Sequence, residues 1–193
     1  ASRPDRLLVA HYFNPPYLIP LVEIVPGPDT SSQTVMAMVG VLEQVGKKPV
    51  VLRKEATGFV ANRLQFAMFR EALAIVEAGI ADPEAVDQVV RFGFGRRLAA
   101  AGPFEVFDLA GLDTILAVAS QILPELDAPN PIGQAVPAAL SRKVAEGDLG
   151  VKSGRGFHEW TTDKADELRN RLTRALARSE STRWGTDLEP PVQ

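Results

Sequence analysis

A change of pattern near Gly58 constrains the fold of this 193-residue chain more than any other feature. Before Gly58, three short runs rich in Val, Ile and Leu are bounded by Pro or Gly, as is typical of buried strands, at residues 7–10, 21–25 and 49–52. After Gly58, apolar residues recur mainly at helical spacing. The pattern predicts a mostly α protein with a small α/β N-terminal portion, and a boundary between a domain at 1–57 and a helical domain at 58–184.

A helix is predicted between the second and third strands. Residues 29–32 carry side-chain oxygens that can cap a helix, and Gly46 can end it. Between them the apolar residues 35, 38, 39 and 42 fall at helical spacing. A strand, a helix and a strand in this order form a β-α-β unit, so we expect the last two strands to run parallel.

Several helices are predicted in the second part of the chain, at residues 59–79, 83–92, 104–109, 112–123, 138–145 and 163–178. Apolar residues cover more than one face of the longest, 59–79, so we expect it to be buried on several sides, as the central helix of a bundle or one face of a dimer interface. Residues 124–137 contain four prolines and predict a long connection. The tail at 185–193 is predicted to be frayed.

The composition excludes several classes of function. With 21 Lys and Arg against 24 Asp and Glu, the net charge is −3, which does not suit a nucleic-acid partner. The chain has no Cys and only two His, so we expect neither disulfides nor a metal site. The first residues do not resemble a signal peptide, and no apolar run reaches the roughly 18 residues of a membrane span. We therefore expect a cytoplasmic protein without a membrane partner.

Two residues of the predicted strands are candidates for proton transfer. His11 ends the first strand, where ligands bind in α/β sheets, and His transfers protons near neutral pH. Glu23 lies inside an apolar strand, where burial of a carboxylate is unfavourable in free energy unless the charge is paired. The chain has only two histidines, and His11 on the neighbouring strand is the expected partner. A paired Glu23 would fix the His11 tautomer and stabilise the imidazolium. Alternatively, His11 is a structural hydrogen-bonding residue and Glu23 points to solvent from an edge strand.

Spaced motifs carry a family resemblance over about residues 7–160. In chain order they are HYFNP at 11–15, LVEIV at 21–25, GFVANR at 58–63, GPFE at 102–105, Asp108, GLDT at 111–114 and GVKSGRGF at 150–157. Together they resemble the 3-hydroxyacyl-CoA dehydrogenase family. The resemblance implies the remnant of a Rossmann-like sheet, followed by a helical domain similar to the C-terminal domain of 6-phosphogluconate dehydrogenase.

The resemblance also implies an activity and a set of site residues. The activity is NAD-dependent oxidation of an L-3-hydroxyacyl-CoA to the 3-keto thioester, as in fatty-acid β-oxidation. By this resemblance His11 is the general base, Glu23 orients and polarises it, and Asn62 hydrogen-bonds the substrate. Asn14 and Lys152 match positions that contact the dinucleotide. The helical domain is the dimerising part of the family, so a homodimer is expected.

One departure from the family pattern concerns the dinucleotide. The family's G-x-G-x-x-G loop is absent, since the similar run GFGRRL at 93–98 follows a predicted helix and lacks the third glycine. We therefore expect an upstream part on the order of 100 residues, the size of a domain, to complete the site. The isolated chain should then be inactive, and its incomplete sheet should expose an apolar edge.

Two alternatives stay open at this point. The runs NPPY at 14–17 and IPLVE at 19–23 also resemble relatives that oxidise non-thioester 3-hydroxy acids, such as gulonate and carnitine dehydrogenases, whereas GLDT and the Lys152 loop favour acyl-CoA. A different class is a non-catalytic helical dimerisation module in which His11 and Glu23 are structural. The choice of NAD comes from the resemblance alone, because the residue that selects NAD or NADP would lie in the upstream part.

Overall fold

A computed structural model describes residues 1–126 and 138–181. The chain divides into two compact units, Ala1–Phe69 and Arg70–Gln193. The predicted boundary at Gly58 lies in the turn before the helix Ala61–Glu77, and the two units divide farther along, within that helix. The predicted tail at 185–193 and most of the predicted connection at 124–137 lie outside the described residues.

The first unit is built on a three-stranded sheet. Its strands are β1 (Leu8–Tyr12), β2 (Leu21–Pro26) and β3 (Lys48–Val51), and they lie in the order β1-β2-β3. β1 is antiparallel to β2, while β3 is parallel to it, as the β-α-β pattern predicts. β2 is therefore the central strand. Apolar side chains on or beside the two edge strands are about half exposed, namely Leu7, Val9, Val50 and Val51.

Helix α1 (Ser32–Gln44) connects β2 to β3 and covers one face of the sheet. The Ser31 hydroxyl accepts a hydrogen bond from the Thr34 N–H and caps the first turn. Gly46, with a φ of 77°, follows the last turn in a left-handed conformation that favours glycine. The buried side chains of Val22, Ile24 and Leu42 form the core between sheet and helix.

Seven helices follow the sheet in the described residues. They are α2 (Ala61–Glu77), which begins in the first unit, and α3 (Pro83–Phe92), α4 (Gly95–Leu98), α5 (Pro103–Ala110), α6 (Leu112–Ile122), α7 (Ala138–Ala145) and α8 (Thr162–Ser181). Asp82 caps α3 through the Ala85 N–H, and Pro83 occupies the first helical position, as the sequence predicts. The short α4 and the 3-10 turn Val151–Ser153 were not predicted, because runs this short carry no clear periodicity.

The prediction that the helix after Gly58 is buried on several sides is wrong for the part of the chain that the structure describes. None of the α2 side chains is buried, and Leu64, Phe66 and Phe69 are each more than half exposed. Apolar residues on several faces indicate what a helix can bury, whereas burial itself requires a neighbouring surface, and the described residues do not cover these side chains. The alternative role of α2, as one face of a dimer interface, stays a prediction.

The described residues form helices of up to 20 residues. No single helix among them is long and apolar enough to cross a membrane. The pair Pro103–Ala110 and Leu112–Glu125 meets the length and composition criteria only when the two are joined across a bend of 109°.

Candidate active site

Glu23 and His11 form a pair across two strands of the sheet. They occupy facing positions in the antiparallel register of β1 and β2, and His11 Nδ1 lies 2.8 Å from Glu23 Oε2. Glu23 lies in the central strand and is 2% exposed, so the alternative in which it points to solvent from an edge strand is wrong. The structure brings together the two residues that the sequence singled out.

The second oxygen of Glu23 is held by the beginning of α2. Oε1 accepts hydrogen bonds from the backbone N–H groups of Val60, at 2.9 Å, and Ala61, at 3.0 Å. Both carboxylate oxygens therefore have hydrogen-bond partners, as a buried charge requires.

These contacts keep the Glu23 carboxyl ionised. Burial by itself raises the pKa of Glu23, but the hydrogen bonds from His11, Ala61 and Val60 outweigh that effect and hold the pKa below its usual value. An ionised carboxylate can only accept hydrogen bonds, so the proton of a neutral His11 lies on Nδ1. The other ring nitrogen, Nε2, then carries the lone pair that can take a proton.

The surroundings of His11 leave Nε2 without a hydrogen-bond partner among the described residues. The His11 side chain is 27% exposed, and no group in residues 1–126 or 138–181 forms a hydrogen bond with Nε2. Two aromatic rings flank the imidazole, Phe59 at 5.2 Å between ring centroids and Phe13 at 6.4 Å in an edge-on arrangement. The site therefore combines a fixed, partly exposed base with apolar walls.

Two asparagines predicted as site residues belong to the same unit. Asn62 lies in the first turn of α2, directly after Ala61, and is partly buried. Its side-chain amide has no hydrogen-bond partner among the described residues, so it is available to a ligand. Asn14 is exposed in the loop after β1, where the Asn14-Pro15 peptide bond is cis.

Lys152, the remaining predicted site residue, lies in the second unit on the 3-10 turn Val151–Ser153. Its ammonium pairs with the Asp113 carboxylate at the beginning of α6. This hydrogen bond, followed by one from the Thr114 N–H, lowers the pKa of Asp113. Lys152 lies close to the backbone of Gly111, whose φ is 94°. A Cβ added at Gly111 would lie 3.1 Å from Lys152 Nζ, so a residue with a side chain at this position would crowd the ammonium group.

Sequence reasoning assigned no role to Asp108, which anchors the loop that follows Lys152. The Asp108 side chain is fully buried and accepts hydrogen bonds from the Phe157 N–H at 2.9 Å, the His158 N–H at 2.7 Å and Trp160 Nε1 at 2.9 Å. The available signal was the one that identified Glu23, namely a carboxylate in an otherwise apolar run.

The donor chemistry of this chain fits part of a dinucleotide. The exposed Asn14 amide can donate to hydroxyl and phosphate oxygens, and the half-exposed Lys152 ammonium can meet a phosphate or ribose beside the backbone of Gly111. Within the described ranges, no group of three or more His, Cys, Asp or Glu side chains could hold a metal ion.

Comparisons with protein-family models assign both parts of the chain. Residues 1–56 match the model described as 3-hydroxyacyl-CoA dehydrogenase, NAD binding domain, and residues 58–160 match that of the same family's C-terminal domain. The predicted architecture, a Rossmann remnant followed by the family's helical domain, is confirmed. NAD, predicted from the resemblance, is likewise confirmed as the cofactor.

Individual relatives support the same family and differ in their substrates. The 5-formyl-3-hydroxy-2-methylpyridine 4-carboxylate 5-dehydrogenase of Mesorhizobium japonicum is 35% identical over 91% of this chain and 55% of that protein. An L-carnitine dehydrogenase of Pseudomonas aeruginosa is 47% identical over 58% of this chain and 35% of its own length. This chain thus spans about half or less of the curated relatives that it matches.

A solved structure also matches the fold. The 3-hydroxyacyl-CoA dehydrogenase of Archaeoglobus fulgidus superimposes with a TM-score of 0.76 at 31% identity, over 93% of this chain and 61% of that one. Sequence motifs, family models and fold agree, and this chain belongs to the 3-hydroxyacyl-CoA dehydrogenase family.

Proposed function

We propose that this chain supplies the proton-transfer part of an NAD-dependent dehydrogenase that oxidises the C3 hydroxyl of a 3-hydroxyacyl substrate. The observation that carries the proposal is the His11–Glu23 pair, in which a buried carboxylate holds Nδ1 at 2.8 Å, while the imidazole is 27% exposed and Nε2 has no hydrogen-bond partner among the described residues. Such an arrangement is that of a general base with a fixed tautomer.

Each residue of the first unit has a distinct task in this proposal. His11 Nε2 takes the proton of the substrate hydroxyl, and Glu23 stabilises the imidazolium that results. The Asn62 amide, which has no partner of its own in the described structure, hydrogen-bonds the substrate oxygen. When bound, NAD supplies the hydride acceptor.

Contacts with the dinucleotide are proposed for two side chains. Asn14 is exposed in the loop that follows His11, and Lys152 is half exposed beside Gly111. Both are hydrogen-bond donors, as contacts to ribose and phosphate oxygens require. Because the chain spans about half of its relatives and lacks a G-x-G-x-x-G loop, we propose that it works with a nucleotide-binding half that carries this loop.

The first candidate substrate is a 3-hydroxyacyl-CoA thioester. The family models and the similarity to the Archaeoglobus fulgidus enzyme support it. A free 3-hydroxy acid is the second candidate, because the Pseudomonas aeruginosa relative is named for carnitine, a 3-hydroxy acid that is not a thioester. The Mesorhizobium japonicum relative is named for a formyl pyridine carboxylate, which is not a thioester either.

The proposal is tested in a fusion protein, called the joined polypeptide below. In it, a nucleotide-binding half that carries the G-x-G-x-x-G loop precedes Ala1. NAD reduction is measured with 3-hydroxybutyryl-CoA, 3-hydroxybutyrate and L-carnitine. We expect His11→Gln to lower kcat by about 10²- to 10⁴-fold, the contribution of a positioned general base. His158→Gln changes the only other histidine, which is exposed, and should leave kcat unchanged.

Other outcomes would revise the proposal. Full activity in His11→Gln would remove His11 as the base, and oxidation of only the free acids would select the second candidate substrate. A joined polypeptide that oxidises none of these compounds would favour the non-catalytic helical module. The 193-residue chain alone, measured in parallel, should be inactive.

A further inference from the structure

The Glu23 carboxylate is shared between two parts of the first unit. Oε2 contacts His11 Nδ1, and Oε1 accepts from the N–H groups of Val60 and Ala61. We propose that Glu23 is a double positioning residue, which sets the His11 tautomer through one oxygen and holds the first turn of α2, with Asn62, through the other. This inference rests on the proposed function, since it assigns Asn62 and His11 to one site.

The beginning of α2 needs an acceptor from elsewhere in the chain. The first N–H groups of a helix have no partner within the helix, and a Ser, Thr, Asp or Asn side chain at the N-cap usually accepts from them. Here the residue before Ala61 is Val60, and Gly58 and Phe59 precede it, so none of the three residues directly before α2 has a side-chain oxygen. Glu23, from β2, takes over the role of the cap and also places a negative charge at the positive end of α2.

A single rigid group therefore links the base to the substrate-binding turn. Glu23 extends from the central strand and is 2% exposed, so it has little freedom to move. The turn that it holds also carries Phe59, whose ring lies 5.2 Å from the His11 ring, and Asn62 follows directly after Ala61. The positions of His11 and of Asn62 thus depend on the same two carboxylate oxygens.

The variant Glu23→Gln separates the two tasks. A Gln side chain has one accepting oxygen and one NH₂ group that only donates. If the NH₂ group turned toward α2, it would face the N–H groups of Val60 and Ala61, and donors cannot hydrogen-bond to each other. We therefore expect the Gln oxygen to accept from these two N–H groups. The NH₂ group then donates to His11 Nδ1 and moves the imidazole proton to Nε2. Glu23→Ala removes both contacts.

Nuclear magnetic resonance on the 193-residue chain tests this directly. With His158→Gln in all samples, His11 is the only histidine, and its ¹⁵N shifts report which nitrogen carries the proton. We expect the proton on Nδ1 in the parent and on Nε2 in Glu23→Gln. Amide exchange of Val60 and Ala61 should stay protected in Glu23→Gln and become at least about tenfold faster in Glu23→Ala, because a buried bond is lost. The exposed Glu43→Gln is the matched control.

Three results would overturn the proposal. They are a proton that stays on Nδ1 in Glu23→Gln, fast exchange of Val60 and Ala61 in that variant, or unchanged exchange in Glu23→Ala. Glu23→Gln keeps the size of the side chain, so the test stands even where Glu23→Ala does not fold.

Kinetics in the joined polypeptide supply a second measurement. Glu23→Gln should lower kcat at least about a hundredfold with KM within about twofold, because the base is disabled while Asn62 stays in place. A KM raised as much as kcat is lowered would contradict the separation of tasks. Because the tautomer and exchange measurements need no substrate, they can support the double role of Glu23 even if the joined polypeptide oxidises no 3-hydroxy compound.

Discussion

Two carboxylates that lie inside apolar elements are each satisfied by groups from distant parts of the chain. Glu23 in β2 contacts His11 and the beginning of α2, and Asp108 in α5 accepts from two backbone N–H groups and the Trp160 indole. Each is therefore both a charge that the fold must compensate and a link that fixes a loop or turn. The sequence identified Glu23 because His11, on the neighbouring predicted strand, is a side chain that can pair with a buried carboxylate. Two of the three partners of Asp108 are backbone N–H groups, and the sequence does not indicate which backbone groups a carboxylate will contact.

Acid should remove the stability that Glu23 provides. Its pKa is lowered from an ordinary value of 4.5, so the folded state favours the ionised form; the stabilisation is complete above 4.5 and is lost as the pH falls through the lowered pKa. We expect the difference in urea midpoint between the parent and Glu23→Gln, followed by circular dichroism, to be largest above pH 4.5 and to shrink toward pH 3. The exposed Glu43→Gln controls for the loss of one negative charge. A difference that stays constant from pH 6 to 3 would contradict the assignment.

At the scale of elements, the loop after Lys152 is packed against Asp108 through glycine. A Cβ added at Gly156 would lie 2.3 Å from Asp108 Oδ1 and 2.8 Å from the Cα of Gly150. Asp108 is buried and held by three hydrogen bonds, so it cannot move aside at low cost. The short loop therefore depends on a glycine for steric reasons.

Gly156→Ala should therefore destabilise the second unit by about 1–3 kcal/mol, the usual cost of overpacking. The chain has two tryptophans, so with Trp184→Phe in all samples the fluorescence of Trp160, which contacts Asp108, reports urea unfolding of this loop. Gly40→Ala is the control for an added Cβ, and it is followed by circular dichroism because α1 lies in the first unit. A Cβ there meets nothing within 4 Å, and it should stabilise α1 by roughly 0.5–1 kcal/mol. If Gly156→Ala were as stable as the parent, the Asp108 side chain would be able to move away from the added Cβ at no cost in free energy, which would contradict this prediction.

At the scale of the whole molecule, the exposed apolar side chains of α2 need a covering surface, above all on the face that carries Phe66 and Phe69. Leu64, Phe66 and Phe69 are more than half exposed, and the rings of Phe66 and Phe69 are in edge-on contact. Apolar patches of this kind on a single chain are typical of interaction sites. We propose that a second copy of the chain covers this face, as the sequence predicts for the helical domain.

Light scattering at micromolar concentration should therefore give the mass of two chains. Phe66→Glu should shift the mass toward one chain, because a charge would be buried without a partner. Met36→Glu, on the equally exposed apolar surface of α1, should leave the mass unchanged. A parent chain with the mass of a monomer would overturn the proposed dimer, and an effect confined to Met36→Glu would place the contact on α1.

Local chemistry determined much of this protein from sequence alone. The three strands, the parallel pairing of the last two and the positions of most helices follow from periodicity, caps and glycine stops, which act over a few residues. The His11–Glu23 pair followed as well, because a buried charge restricts the possible partners and the chain has only two histidines.

Contacts between distant parts of the chain were decided only by the tertiary structure. The capping of α2 by Glu23, the bonds that Asp108 makes to residues near Trp160, and the exposure of α2 all depend on which backbone groups and surfaces come together. Backbone N–H groups are the same in nearly every residue, so no sequence pattern marks the ones that a carboxylate will find. Burial likewise depends on the neighbouring surface, which the periodicity of a single helix does not contain.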